Sequence, residues 1–136
     1  MHAYHIAVWI DHREAKIFRV GAKESDEEVI RAQHAERHIH HKAGTFGAGH
    51  GGAGHAGEDN KFLDTVAEEI AEAHEILIVG PAQAKLHFLK RLQSHWPRVA
   101  EKVVGVESID HPSDAKLVEY ARHYFHKVDR MRPQVG

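Results

Sequence analysis

The sequence contains no cysteine, and it has no apolar run long enough to cross a bilayer. Without cysteine the chain cannot form disulfides, thiolate zinc sites, iron–sulfur clusters or a cysteine nucleophile. The first residues, MHAYH, have neither the charged opening nor the apolar segment of a signal peptide. We therefore expect a cytoplasmic protein without a membrane partner.

A chain of 136 residues, 42% hydrophobic and 28% charged, has the average make-up of a soluble globular protein. This composition excludes a fibrous or wholly disordered chain, and the length excludes a multidomain protein. We expect one α/β domain over residues 1–136. Within it, residues 35–60 are predicted to form a mobile Gly/His-rich loop, and residues 129–136 a basic tail.

Histidine is the most unusual component, with 15 residues in a chain of net charge −2. Fifteen added protons would bring that charge to +13, and a free imidazole titrates near pH ~6.5. Affinity for polyanions should therefore rise in mild acid. Six histidines and seven of the 11 glycines lie between residues 34 and 59, so this segment is expected to lie outside the core.

The apolar patterns predict eight elements in the order β-β-β-α-β-α-β-α. The predicted strands are residues 4–11, 15–20, 27–33, 75–80 and 103–108, and the first two form a hairpin. The predicted helices are residues 61–74, 82–95 and one that opens at residues 111–114. The result is an antiparallel hairpin sheet extended by parallel strands through helical crossovers.

Three local features refine this outline. The helix over residues 82–95 should bury Leu86, Leu89 and Leu92, and it should stop at Trp96, which precedes a proline. The sequence HPSD at residues 111–114 could suggest a catalytic group. Proline, serine and aspartate together are, however, what the start of a helix requires, and we favour that interpretation.

Three segments resemble a known family: VWIDHREAKIF at 8–18, EILIVGPAQAK at 75–85 and GVESIDHPSDAKLVEYARHYF at 105–125. They are similar to the ribonuclease H-like fold of translational machinery components. These include the middle domain of the archaeal and eukaryotic peptide-chain release factor, its relative pelota, and small bacterial translational machinery proteins. The resemblance implies a ribonuclease H-like mixed sheet. It also implies a translation-associated protein that binds RNA or the ribosome, with the ribosome, ribosomal RNA or tRNA as partner.

The release factor carries Gly-Gly-Gln in the corresponding loop, and this chain departs from that pattern. Here Gly51 and Gly52 are followed by Ala53 rather than glutamine. Pelota-like proteins also lack the tripeptide and still work on ribosomes. The resemblance therefore implies ribosome association without peptidyl-tRNA hydrolysis, and we assign no catalytic residue, cofactor or metal.

Candidate RNA contacts lie in the glycine-rich loop and on the second helix. Cations beside glycines can follow a phosphate backbone closely, and an aromatic ring in the loop can stack on a base. The predicted RNA-binding residues are Arg37, His38, His40, His41, Lys42, Phe46, His50, Gly51, Gly52, His55, His87, Lys90 and Arg91. Residues 81–102 also hold five cations against one glutamate, a pattern typical of either a phosphate-contacting patch or a solvated helix face.

A metal-dependent hydrolase or nuclease is the first alternative. Ribonuclease H-type nucleases hold magnesium with a carboxylate on the first strand, and Asp11 occupies that place. Its partners would be Glu68 or Glu69 and Asp110. Aspartate at the end of a strand is also ordinary turn chemistry.

A histidine-rich metal-binding module is the second alternative. His34, His38 and His41 would share one face of a helix, and neutral imidazoles this close can bind zinc, nickel or copper. The zincin motif is not present, because the glutamate after His34 falls one place late. A polar loop with weak metal affinity would have the same composition.

Overall fold

The computed structural model of the chain describes residues 5–21, 25–32 and 60–131. The strands are β1 (His5–Ile10), β2 (Glu14–Val20), β3 (Ser25–Arg31), β4 (Glu75–Gly80) and β5 (Val103–Ser108). The helices are α1 (60–69), α2 (Ala84–His95), α3 (Pro97–Ala100) and α4 (Asp114–Met131). The predicted loop lies outside the described residues, apart from residue 60, which belongs to α1.

The strands form one mixed sheet in the order β3-β2-β1-β4-β5. β2 pairs antiparallel with both β1 and β3, whereas β4 pairs parallel with β1 and with β5. The predicted hairpin and its parallel extension are therefore confirmed, and the chain has the α/β class expected from its sequence.

Helices cover both faces of the sheet. On one face, Phe62 and Val66 of α1 and Phe88 of α2 pack on the apolar side chains of β1 and β4. On the other face, Leu117 and Phe125 of α4 pack on the alternate side chains. Because β1 and β4 are covered on both sides, all six residues of β4 are buried, as a continuous apolar run predicts.

Gly80 lets the ends of β1 and β4 approach each other. A Cβ atom at this position would overlap the backbone carbonyl of Ile10. The carbonyl of Gly80 accepts a hydrogen bond of 3.0 Å from the N–H of Ile109, which links the ends of β4 and β5. Glycine is therefore the residue that this close approach of two backbones requires.

The prediction for the buried side of α2 was partly wrong. Leu92 is buried and Leu89 is half-buried, but Leu86 is 45% exposed. Phe88 and the stem of Lys85 are buried instead. The reason is helical spacing, because positions 84, 88 and 92 lie four apart on the side that faces the sheet.

The bounds of β3 and α1 also differ from prediction. β3 begins at Ser25, two residues early, because its pairing with β2 continues to Val20. α1 ends at residue 69, since the N–H of Ala73 bonds the carbonyl of Ile70 in a tighter turn before β4. The start of α4 is capped as predicted, with the Ser113 hydroxyl accepting the N–H of Lys116 at 3.3 Å. None of the described helices is long and apolar enough to span a bilayer.

Candidate nucleic-acid interface

The turn between β1 and β2 is held by the side chain of Asp11. Its Oδ1 accepts the N–H of Arg13 at 2.8 Å and that of Glu14 at 2.9 Å. The N–H of Asp11 donates to the carbonyl of Glu14 at 3.0 Å and closes the turn. This arrangement leaves His12 and Arg13 exposed at the carboxyl end of β1.

The first turn of α2 lies beside this hairpin turn. The ring centroids of His12 and His87 are 6.2 Å apart, and the two exposed rings line a shallow pocket with Phe62 and Leu63 of α1. Lys90, one helical turn after His87, is exposed as well. We call His12, Arg13, His87 and Lys90 the α2 surface. Its side chains are imidazole rings or cations.

Arg91 belongs to an ion pair with α1. Its Nε and Nη2 each donate to one carboxylate oxygen of Asp64, both at 2.9 Å, and Trp96 Nε1 donates to Oδ1 at the same distance. The hydrogen bond from Arg91 lowers the pKa of Asp64 below 3.8, against the opposing effect of burial. The same bond raises the pKa of Arg91. This bidentate pair joins α1 to α2 and fixes the orientation of the Arg91 guanidinium.

Two further cations of the predicted patch are also engaged within the protein. The ammonium of Lys85 donates to the carbonyl of Ala82, and its stem is buried. Lys102 Nζ donates to the carbonyl of Ala71 at 2.7 Å. The positive charge in residues 81–102 that remains exposed is therefore smaller than the sequence suggested, and Lys90 carries part of it.

The outer side of α1 has the opposite charge. Glu68 and Glu69 are exposed there, and Glu72 is exposed in the turn that follows. Glu69 Oε1 lies 3.5 Å from Arg19 Nη2. A hydrogen bond with Glu28 raises the pKa of Glu69, with like-charge repulsion and burial adding to the effect. A polyanion would be repelled by this face, so the charges favour an approach over the α2 surface.

The magnesium alternative lacks its cluster of carboxylates. Glu69 reaches Arg19, which pairs across the sheet with Ile6, five residues before Asp11 and about 16 Å away along the strand. The Asp110 carboxylate pairs with its neighbour His111 at 3.1 Å. Within the described ranges, the only group of three potential ligands does not include Asp11. Asp11 therefore has the turn role.

Of the predicted RNA-binding residues, His87, Lys90 and Arg91 lie together on α2. The other ten fall in the segment 33–59, outside the described residues. The described residues on either side of that segment contact the α2 surface. The N–H of Ala32 donates to the carbonyl of Arg13 at 2.8 Å, and Phe62 lines the pocket of His12 and His87.

The sequence analysis did not select His12 or Arg13 as binding residues. In the structure the Asp11 side chain holds the turn, which leaves the side chains of His12 and Arg13 exposed. The turn itself could have indicated these two residues. Polar residues that follow a buried strand lie at the edge of the sheet where helices α1 and α2 begin.

The fold is similar to part of several solved structures. The Pelota protein of Thermoplasma acidophilum matches with a TM-score of 0.61 and 14% identity, over 87% of this chain and 31% of that chain. Pelota of Archaeoglobus fulgidus matches with a TM-score of 0.57 and 16% identity, over 96% of this chain and 38% of that chain. An archaeal translation termination factor matches with a TM-score of 0.51 and 15% identity, over 94% and 39%.

No protein-family model and no curated protein matches the sequence. The chain spans about a third of the length of the solved proteins that it resembles. At this level of identity the similarity shows the fold: a mixed α/β domain that also occurs within Pelota and within a translation termination factor.

Proposed function

We propose that this protein associates with translation by binding RNA, either ribosomal RNA or tRNA on the ribosome, through the α2 surface and the adjoining segment 33–59. The observation that carries the proposal is the α2 surface itself, where His12, Arg13, His87 and Lys90 are exposed at one edge of the sheet. The described residues that flank segment 33–59 support its inclusion, because Ala32 bonds Arg13 and Phe62 lines the pocket of His12 and His87.

The similarity in fold supports the choice of translation. A fold does not by itself determine a function, but one of the similar structures is a translation termination factor. The exposed surface supplies the independent reason, because cations and protonated imidazoles are the groups that contact phosphates. The ribonuclease H-like assignment, made from the sequence, stays a prediction.

We propose a binding role without peptidyl-tRNA hydrolysis. Gly51 and Gly52 lack a following glutamine, and the Asp11 carboxylate is engaged by two backbone N–H groups of the turn. A hydrolase based on Asp11 would need further carboxylates beside it, and Glu69 and Asp110 have other partners.

Co-sedimentation with ribosomes tests the proposal. The intact chain is compared with His87→Ala/Lys90→Ala and with a chain that lacks residues 38–57, at about 50 and about 200 mM salt. We expect binding by the intact chain to fall with salt. Both variants should bind more weakly, and loss of the Lys90 contact should reduce the slope of log affinity against log salt by about one.

The matched control is His123→Ala/Lys127→Ala, which removes one histidine and one lysine from exposed positions of α4. This control should bind ribosomes as the intact chain does. Equal weakening in the control would show that net charge alone governs the association. Unchanged binding by both His87→Ala/Lys90→Ala and the shortened chain would contradict the proposed surface.

A further inference from the structure

A second imidazole site lies at the opposite end of β1. His5 opens β1 and pairs in parallel register with Glu75, the first residue of β4. His5 Nε2 is 3.1 Å from Glu75 Oε1 and 3.5 Å from Oδ2 of Asp129, which belongs to α4. One donor atom from each side chain lies within 4.8 Å of the other two.

The carboxylate of Glu75 is almost completely buried. The residue is 2% exposed and starts a strand whose other members are apolar. Asp129 adds a second negative charge at the same place, and its side chain is 49% exposed, so the site is open to solvent on that side.

The ring of His5 is oriented for coordination rather than for hydrogen bonding. Its Nε2 is buried and makes no hydrogen bond of acceptable geometry within the described part of the chain, despite the short distance to the carboxylate. Phe125 packs against the ring, with centroids 4.6 Å apart, and fixes its position. The nitrogen lone pair of a neutral imidazole can therefore be directed between the two carboxylates.

The distances from His5 Nε2 to the two carboxylates fit a tetrahedral metal ion. Zinc binds histidine nitrogen and carboxylate oxygen at roughly 2.0 to 2.2 Å, which places neighbouring ligands about 3.3 to 3.5 Å apart at tetrahedral angles. The observed separations of 3.1 and 3.5 Å from His5 Nε2 bracket this range. A nitrogen donor among carboxylates favours zinc and other first-row transition ions over magnesium or calcium.

We propose that His5, Glu75 and Asp129 form a binding site for a divalent transition-metal ion such as zinc. The ion would take one nitrogen and two oxygen ligands, with a fourth position open to water. It would also connect the beginnings of β1 and β4 to the last turns of α4. The site is independent of the α2 surface, at the other edge of the sheet.

Zinc titration of the full chain, followed by the imidazole nitrogen signals in NMR, tests the proposal. The His5 signals are identified by their loss in His5→Gln. We expect them to move to positions typical of metal-bound imidazole. The affinity read from them should fall at least about tenfold in Glu75→Gln and in Asp129→Asn. Asp129 is half-exposed, so its variant should fold normally even if Glu75→Gln does not.

The matched control is His111, whose Nδ1 lies 3.1 Å from the Asp110 carboxylate in an exposed pair without a third described ligand. Its signals should respond to zinc at least about ten times more weakly than those of His5. The proposal is overturned if His5 does not respond, or if it responds no more strongly than His111. It is also overturned if Asp129→Asn leaves the affinity read from His5 unchanged, because the three side chains would then form only an ion pair.

Discussion

The two ends of β1 use the same side chain in different surroundings. At the beginning of the strand, His5 is packed between Phe125 and the buried carboxylate of Glu75. At its other end, His12 and His87 are exposed beside the turn held by Asp11. A half-buried imidazole with fixed carboxylate neighbours is suited to one cation, whereas exposed imidazoles beside lysine and arginine are suited to an extended polyanion.

This difference follows from topology rather than from local sequence. β4 and β1 run parallel, so Glu75 is placed beside His5 at one edge of the sheet. At the other edge the chain turns, and Asp11 accepts backbone N–H groups from the turn instead of facing a histidine. A carboxylate therefore lies beside a histidine at one end of β1 and is engaged in the turn at the other.

The largest expected effect concerns the contact between β1 and β4 at the carboxyl end of β1. Gly80→Ala would place a methyl group against the carbonyl of Ile10, which cannot move without shifting the strand. We expect a loss of about 2 to 3 kcal/mol in the free energy of unfolding, measured by chemical denaturation. Gly105→Ala is the control, since its methyl group would meet the tip of the Tyr124 side chain. It should cost less, and an equal or larger loss would contradict the rigid contact between β1 and β4.

Asp64→Asn tests how much the ion pair between Asp64 and Arg91 stabilises the fold. The substitution weakens two charge-assisted hydrogen bonds at a partly exposed site, so we expect a loss of about 1 kcal/mol in stability. The pKa of Asp64 is lowered below 3.8 in the folded protein, so this stabilisation is present above about pH 4. It is lost as the pH falls through the lower folded value. Thermal melts at pH 6 and at pH 3 should show the difference between the two proteins shrinking in acid.

The same substitution should strengthen RNA binding. Releasing Arg91 from its carboxylate partner adds a free cation next to His87 and Lys90 on α2. Binding of Asp64→Asn to a short single-stranded RNA should be tighter at low salt, and the slope of log affinity against log salt should steepen by up to about 0.7. Weaker binding at both high and low salt would mean that the ion pair itself shapes the interface.

RNA affinity should also rise between about pH 7.5 and about pH 6, where histidines ordinarily gain a proton. Fluorescence anisotropy with labelled RNA measures this gain. His12→Gln/His87→Gln should lose part of it, because two imidazoles are then missing from the α2 surface. His111→Gln/His123→Gln removes two exposed histidines elsewhere and should keep it. Equal gains in both double variants would exclude a special role for the α2 surface.

The smallest expected effect is at Glu27. Burial, followed by a hydrogen bond with Asp114, raises the pKa of Glu27 above 4.5, so the folded protein disfavours its charge. Glu27→Gln should therefore increase the melting temperature at pH 7 by about 1 °C. The increase should vanish as the pH falls below about 4.5, where the carboxyl is protonated in both states. Asp26→Asn is the control, since Asp26 lies 3.5 Å from Arg19 and its loss should not stabilise the protein.

Local rules predicted most of the fold. β5 has the predicted bounds, residues 103–108, and α2 ends before Trp96 as the following proline requires. The side chain at each buried position was less predictable, because leucine at 86 is as apolar as phenylalanine at 88. The direction of the sheet decides which of them is buried.

The two candidate sites were harder to predict because they depend on contacts between distant residues. Arg91 and Asp64 are 27 positions apart, and from the sequence Arg91 was predicted to be a cation available to RNA. His5, Glu75 and Asp129 come together only once the parallel pairing and the packing of α4 are known. The spacing of apolar residues predicts neither the parallel pairing nor the packing of α4.

One NMR experiment compares the two ends of β1 most directly. The imidazole signals of the full chain are followed while an RNA of about 16 nucleotides and then zinc are added. We expect RNA to shift the signals of His12 and His87 and to leave that of His5 unchanged. Zinc should then shift the His5 signal. Perturbation of His5 by RNA, or no response to RNA from His12 and His87, would contradict this expectation.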